Sequence, residues 1–532
     1  MLIIASLCGL ISLVLGMVLV PAVRTMAHRI GIVDKPDPTR KLHRGAIALG
    51  GGFAVFACSM IAVFTSVFVI APLVLGEAVA IDPRWKLLLF ASGLMVLLGL
   101  VDDWIALRGR QKLLGQIMIV AMLVGGGGTV VSSADFLGIP IELGVFALPI
   151  TMLWLLGAVN ALNLIDGADG IASTTGSIIC AGLSIIAFSR GDIIEGSIAI
   201  ALATGLLAFL KYNRPPASIF LGDSGSMMIG LVIGTLAIWT RTKESTAVAV
   251  VIPIAVLSIP LFDSSIAILR RVLTGRSIYA ADRAHMHHVL QNLLTERGLS
   301  QGWMLGIVAV LTLIPVSGAV ASVLLGKPLI AIAATGLVLG GLVLSKSFGH
   351  AELSLLAKRS ASFGSSLLTR SQNAEGFIRH TSVRLQGSRD WDRAWDTLVD
   401  FAEHHDLWQV KLDLNVSWLH EGFHGDWHRS RLPDRAEQWS MRFPIEVDQR
   451  QVGTLKIVGR GGGLQTYQLL ETLIEMVSYL QPNFEAIVNK EQQSQDPQPE
   501  PQDDAPAEKS DATGEIELDK EQSKLQPSAS LS

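Results

Sequence analysis

Residues 160–170 read NALNLIDGADG: two amides, two carboxylates and two glycines, with no positive charge, set directly between two apolar runs. Amides and acids at the end of a membrane-length segment are costly to place there, so they line a polar cavity or hold an ion. The flanking runs make the fold class a membrane one. The stretch between them marks where the chemistry lies.

Working outward, the 532 residues are 50% hydrophobic and only 17% charged, too apolar for a soluble chain of this size. Apolar runs of the length that crosses a bilayer as helix, roughly 17–25 residues, fall near 2–22, 49–75, 87–101, 113–131, 143–161, 170–188, 192–210, 224–240, 246–269, 303–325 and 328–345. The expected fold is an all-α polytopic membrane protein of about eleven helices, followed by a C-terminal soluble α+β domain and an acidic, disordered tail. The first run lacks a basic segment before it and has Arg24 and Arg29 after it, which reads as an uncleaved helix with its N-terminus outside. Cys8, Cys58 and Cys180 lie inside apolar runs at unrelated spacings, the pattern of packing residues rather than a disulfide or zinc framework.

Basic residues set the orientation. The first loop carries Arg24, Arg29, Lys35, Arg40, Lys41 and Arg44, the third Arg108, Arg110 and Lys112, and the ninth Arg270, Arg271, Arg276 and Arg283. These odd-numbered loops are cytoplasmic by the basic-residue rule, with Arg241 and Lys243 the exception. The polar clusters share those loops or their helix edges: Asp102-Asp103, NALNLIDGADG, FLGDSGS at 220–226 and DRAHMHH at 282–288. They can therefore form one site at the cytoplasmic face.

The expected domains are 1–345 for the membrane part, 346–390 for a polar, Ser-rich linker, 391–490 for the α+β domain, and 491–532 for the tail. Strand-like VKLDLNVSW, WSMRFPIEV and VGTLKIVG lie between helical patterns in the third of these, whereas the tail is Gln, Pro, Glu, Asp and Ser with almost no aliphatic content.

Each cluster has a plain reading beside the chemical one. Asp102 and Asp103 end the third run and serve either as a solvated helix terminus or as carboxylates that hold Mg²⁺ or accept a proton, with Arg108, Arg110 and Lys112 meeting phosphate. Asn160, Asn163 and Asp166 recur every three residues, so their side chains converge on one helical face. A helix N-cap accounts for Asp223 or Ser224, but a helix start aimed at a cavity also favours phosphate, and Phe220 is either packing or a stacking platform. His285, His287 and His288 have no cysteine near and not the HExxH spacing, so with Arg283 they fit hydrogen-bond donors to a pyrophosphate better than zinc ligands. Asp263, an intramembrane acid in the ninth run, is a pairing partner for one of these cations.

The ordered set DD, NALNLIDGADG, FLGDSGS and DRAHMHH, preceded by KLHRGAIALGGG at 41–52, resembles the polyprenyl-phosphate N-acetylhexosamine-1-phosphate transferase family over residues 1–345. The first loop and histidine motif resemble most the branch that makes undecaprenyl-pyrophosphoryl-GlcNAc. That branch commonly has proline where this chain has Ala48.

The resemblance implies an enzyme of the bacterial cytoplasmic membrane with UDP-GlcNAc and undecaprenyl phosphate as substrates, UMP as leaving product, and Mg²⁺ as cofactor, Mn²⁺ being the alternative. It implies Asp102, Asp103 and Asp223 as catalytic residues and Asp223, Asp103 and Asp166 as metal ligands. Asn160, Asn163, Asp166, Phe220, Arg283, His285, His287 and His288 are then the substrate contacts. The expected partner is the lipid bilayer, with a second copy of the chain as an option and no nucleic acid; the C-terminal domain, on which the resemblance is silent, reads either as a regulatory ligand-binding module or as a docking surface for downstream glycosyltransferases. The rival reading is a transporter or flippase for a lipid-linked or anionic substrate. A carrier needs its polar residues reachable from both faces, and here they crowd one.

Overall fold

In hydrocarbon every backbone N–H and C=O must be satisfied within the chain, which makes helix the default for each apolar run. The computed structural model describes residues 1–34, 46–80, 82–127, 129–136, 139–239, 248–274, 284–300, 302–357, 360, 378–386, 391–416, 421–429, 438–447, 450–460 and 464–489. The expected tail at 491–532 lies outside them.

The membrane part runs α1 (Leu2–Ile30), α2 (Gly51–Leu75), α3 (Pro83–Ile105), α4 (Gly109–Gly127), α5 (Gly144–Ile165), α6 (Ile171–Ser189), α7 (Ile193–Asn213), α8 (Gly222–Trp239), α9 (Val248–Val256), α10 (Ser258–Thr274), α11 (Met286–Glu296), α12 (Gly302–Leu325) and α13 (Pro328–Leu344). Among the described residues eight of these, α1, α2, α3, α5, α6, α7, α8 and α12, are long and apolar enough to cross a membrane. The pair α9 and α10 makes a ninth if its 80° bend belongs to one span. Pro260, with no N–H for the carbonyl of Val256 and a ring that crowds it, explains the break. Helices α4 and α13 stand where two more runs are expected but do not meet that length and hydropathy.

The bundle is built around α8. Its SMMIGLVIGTLAIW sequence is apolar on every side, which suits a helix with protein all round it, and 89% of its apolar window is buried, against 33% for α1. It packs on α2, α3, α5 and α6. The approach to α2 is backbone to backbone: a Cβ on Gly52 would stand 2.1 Å from the Gly225 nitrogen. Small residues at such crossings are how membrane helices gain contact, since lipid is as apolar as leucine.

Two short antiparallel pairs flank the helices: β3 (Ser133–Phe136) with β4 (Ile139–Glu142), and β1 (Val33–Asp34) with β2 (Ile47–Ala48), where Ala48 also bridges in parallel to Ile219. The Phe220 N–H donates to the Ala48 carbonyl (2.9 Å), and the Gly51 and Gly52 N–H groups donate to the carbonyls of Phe220 and Leu221 (3.1 and 2.9 Å). The end of the first loop is thus stitched to the start of FLGDSGS. The Ala48 bond uses a carbonyl, which proline also offers, so the departure at this position keeps the anchor.

After α13, residues 350–357 form a helix that lies along α10, with a buried Arg270–Glu352 ion pair at 2.5 Å and Phe348 edge-on to Phe262. The C-terminal region is a five-stranded antiparallel sheet in the order β5-β7-β6-β9-β8: β5 (Ile378–Gln386), β6 (Gln409–Val416), β7 (Glu421–Arg429), β8 (Gln438–Val447) and β9 (Arg450–Arg460). Helices α14 (Trp391–His404) and α15 (Leu464–Asn489) complete it. Its core is aromatic, with Trp391, Trp395, Phe423 and Trp427 fully buried. The expected strands over VKLDLNVSW, WSMRFPIEV and VGTLKIVG are present as β6, β8 and β9. Two more strands were not legible: β5 falls within the stretch read as linker, and β7, EGFHGDWHR, is too polar to show alternation.

Candidate active site

The four clusters meet at one end of the bundle, around a cavity of about 960 Å³ lined by Asp102, Asp103, Lys112, Asn163, Asp166, Asp169, Phe220, Asp223 and His288 among others. Helix α3 delivers the two aspartates at its last turn. Asp103 turns toward the start of α8, where its carboxylate accepts the N–H groups of Asp223 (2.9 Å) and Ser224 (3.4 Å). A helix start is a partial positive charge with unpaired N–H donors. Because Asp103 caps it from another helix, Asp223 is released from capping and its carboxylate faces the cavity.

Lys112, at the start of α4, ties the acids together. Its Nζ lies 2.7 Å from Asp223 Oδ2, 3.1 Å from Asp102 Oδ2 and 3.1 Å from Asn163 Oδ1. Asn163 in turn donates to Asp223 Oδ1 (2.5 Å) and to Ser226 Oγ (2.9 Å), and Asp102 Oδ1 accepts the Leu107 N–H (2.8 Å). Charge-assisted bonds of this kind hold both partners in fixed geometry.

Three expected positions are separate from the cavity. Asn160 shares the helical face of Asn163 but donates to Gln116 Oε1 (2.9 Å) and to the Leu156 carbonyl (2.8 Å), so it braces α5 against α4. His285 and His287 are buried and do not line the cavity, whereas His288 does. Among the described residues neither ring nitrogen of His287 has a hydrogen-bond partner, and burial, reinforced by neighbouring His288, pushes its pKa down to about 3, so it is neutral. Its ring fills the space over Gly167, where a Cβ would stand 2.6 Å from Nε2. That contact explains the glycine and keys the histidine motif to NALNLIDGADG. Arg283 lies outside the described residues.

Two positioning residues escaped the sequence reading. Asn213, at the end of α7, accepts the Gly170 N–H (3.1 Å) and the Ser173 hydroxyl (2.9 Å) and donates to the Ile219 carbonyl (3.0 Å). Asp169 accepts the Ala217 N–H (2.9 Å). Together they clamp NALNLIDGADG to the loop leading into FLGDSGS. Asn213 closes an apolar run next to Arg214 and a Pro-Pro pair, where it reads as an ordinary helix end.

Asp103, Asp166 and Asp223 do not form a ready-made metal cage, and among the described residues no three His, Cys, Asp or Glu side chains do. The physical reason is that Asp103 is turned to the α8 start and Asp223 to Lys112. The donor chemistry nevertheless fits a divalent cation of the Mg²⁺ type, which takes one or two carboxylates and completes its shell with water and substrate phosphate. Desolvation, then the charges of Asp223, Asp103 and Asp169, raise the Asp166 carboxyl well above the ordinary carboxylate range. A cation would relieve that crowding.

A model of glycosyl transferase family 4 matches residues 85–241, the segment that holds Asp102, Asp103, Asn163, Asp166, Asp169, Asn213 and Asp223. A probable undecaprenyl-phosphate N-acetylglucosaminyl 1-phosphate transferase of Bacillus subtilis (strain 168) is 34% identical over 286 residues, 53% of this chain and 75% of the relative. The chain belongs to this family of polyprenyl-phosphate sugar-1-phosphate transferases. The transferase is also 29% identical over 326 residues to a decaprenyl-phosphate N-acetylglucosaminephosphotransferase of Mycolicibacterium smegmatis (54% of this chain, 75% of the relative). To a phospho-N-acetylmuramoyl-pentapeptide-transferase of Shouchella clausii it is 28% identical over 311 residues (56% and 91%). The family match ends before the C-terminal sheet of the transferase begins.

Proposed function

We propose that the transferase moves GlcNAc-1-phosphate from UDP-GlcNAc to undecaprenyl phosphate on the cytoplasmic face of the bacterial inner membrane, starting a cell-surface polysaccharide of O-antigen, common-antigen or teichoic-acid type. The observation that supports it most is the convergence of Asp102, Asp103, Asn163, Asp166, Asp223, Lys112 and His288 on one cavity at one end of the helices. In the topology that goes with this reading, eleven spans leave the N-terminus outside and the C-terminal domain in the cytoplasm.

A phosphate oxygen of the lipid attacks the β-phosphorus of the nucleotide sugar. The bond from that phosphorus to the bridging oxygen breaks, and UMP leaves with the bridging oxygen. Two anionic groups must be brought together for this, so catalysis is positioning and charge neutralisation. Asp223 and Asp166, with Asp103 behind them, would hold a divalent cation, Mg²⁺ first, and when bound it would supply charge neutralisation for the phosphoryl transfer. Lys112 supplies a fixed positive charge beside Asp223. Asp102 orients the lipid phosphate, which is already mostly ionised near neutral pH and needs little help from a base. Phe220 stacks on uracil, Asn163 and Asp166 bind the nucleotide sugar with Asn160 bracing them, and His288 with Arg283 holds the pyrophosphate at the end of a motif shaped by His285 and His287.

The test is direct. Purified protein in detergent, given UDP-GlcNAc, Mg²⁺ and undecaprenyl phosphate, is expected to release one UMP per lipid-linked sugar formed. Release of no UMP from any UDP-N-acetylhexosamine would overturn the reading.

A further inference from the structure

Asp263 is a carboxylate in the middle of α10, only 1% exposed. A buried carboxylate without donors is costly, and here both oxygens are engaged by one short stretch of chain. Oδ2 lies 2.9 Å from His285 Nδ1, and Oδ1 accepts the Met286 N–H at 2.7 Å. A carboxylate only accepts, so the His285 proton on that side sits on Nδ1. Met286 is the first residue of α11, and its N-cap residue, His285, makes no capping bond of its own. One residue of α10 therefore caps α11 from outside and fixes the ring that precedes it.

The remainder of the histidine motif depends on that bracket. The His285 ring stacks on His287 at 5.9 Å, His287 lies 4.2 Å from His288, and the N–H groups of His288 and Val289 return to the His285 carbonyl (3.0 and 3.2 Å). His287 presses against Gly167 on one side, and His288 emerges into the cavity. We propose that Asp263 is a positioning residue: through His285 and the start of α11 it sets how far His288 reaches into the cavity. The inference rests on the proposed transferase function only where turnover is the readout.

Two arms test it on the full-length protein in detergent. Diethyl pyrocarbonate labelling, followed by peptide mass spectrometry, needs no activity. In the wild type His288 is expected to label and the buried His285 to stay protected; in Asp263→Asn, once it has been checked to elute as a single species like the wild type, His285 is expected to label about tenfold faster. Unchanged protection of His285 overturns the proposal. In the second arm Asp263→Asn lowers kcat/KM for the nucleotide sugar by about ten- to a hundredfold, the scale of a misplacement near one ångström, yet costs almost nothing further when added to His288→Ala. Losses that simply multiply would show that Asp263 does not act through His288. Should Asp263→Asn fail to fold, His285→Asn approaches the pair from the other side, since its amide nitrogen stands about where Nδ1 does. It is expected to retain most of the turnover that His285→Ala loses, and equal loss in both overturns the proposal. A wild-type protein that releases no UMP defeats the functional reading alone, because the labelling arm still decides the role of Asp263.

Discussion

The bundle around α8 and the C-terminal sheet solve the packing problem by opposite means. In the bundle, backbones touch: Gly52 and Gly225 leave no room for a side chain between α2 and α8, and serines, alanines and glycines fill the crossings. In the sheet domain, distance is filled by bulk: Trp395 lies over Gly425, and Trp391 donates to the buried Glu421 (2.9 Å) while packing on Phe484. Water explains the contrast. The sheet domain gains its stability by removing large apolar surfaces from water, whereas helices in lipid have no such drive and rely on close contact and polar pairing. Close contact also has a functional outcome, because it brings helix ends near enough for short side chains such as Asp103, Asn163 and Asp223 to meet. The aromatic domain brings no comparable set of polar groups together among its described residues.

That contrast can be broken at chosen points. Asp223→Asn removes the carboxylate that Lys112 and Asn163 hold in the cavity, and turnover is expected to fall by about a hundred- to a thousandfold in a UMP-release assay, the scale for losing one preorganised electrostatic group; near-normal Mg²⁺-dependent turnover would remove Asp223 from the metal set. Gly52→Ala forces α2 from α8, and overpacking of about 1–3 kcal/mol is expected to lower the melting temperature of the purified protein and cut turnover at least severalfold, since the Gly51 and Gly52 N–H groups no longer hold the carbonyls of Phe220 and Leu221 ahead of α8. Trp395→Ala should cost the sheet domain about 3–5 kcal/mol, seen as faster proteolysis within residues 378–489, while turnover changes little. The smallest effect is expected from truncation after Lys358, which keeps the helix at 350–357 with its Glu352–Arg270 pair and removes the sheet. Turnover within a few-fold of the full chain would show that the domain is not catalytic. A larger loss would give weight to the bond from Lys411 Nζ to the Thr274 carbonyl (3.0 Å), the point where the sheet touches the end of α10.

Much of the site was legible because its residue types are out of place. An acid or amide at the end of an apolar run announces itself, so Asp102, Asp103, Asn163, Asp166 and Asp223 stood out, and Asp263 with them. Lys112, Asn213 and Asp169 were harder to assign. A lysine in a basic loop and an asparagine at a helix end both have ordinary explanations, and only their distances reveal the first as the hub of three oxygens and the second as a clamp. Asn160 shows the reverse: the helical period places it with Asn163, but Gln116 on the neighbouring helix claims it.

By itself the amino-acid order determined that this is a membrane-embedded helical chain with polar clusters at the ends of its apolar runs, because hydropathy, period and charge are local properties that survive without a fold; the transferase reading came from the resemblance that the ordered motifs carry. Tertiary structure decided which carboxylate caps a helix and which faces the cavity, why Gly167 must be glycine, and that one buried aspartate on α10 holds the histidine motif in place. Those assignments depend on what stands within about 3 Å of an atom, the range over which a hydrogen bond acts, and residues far apart in the chain meet at that range only once the helices have packed.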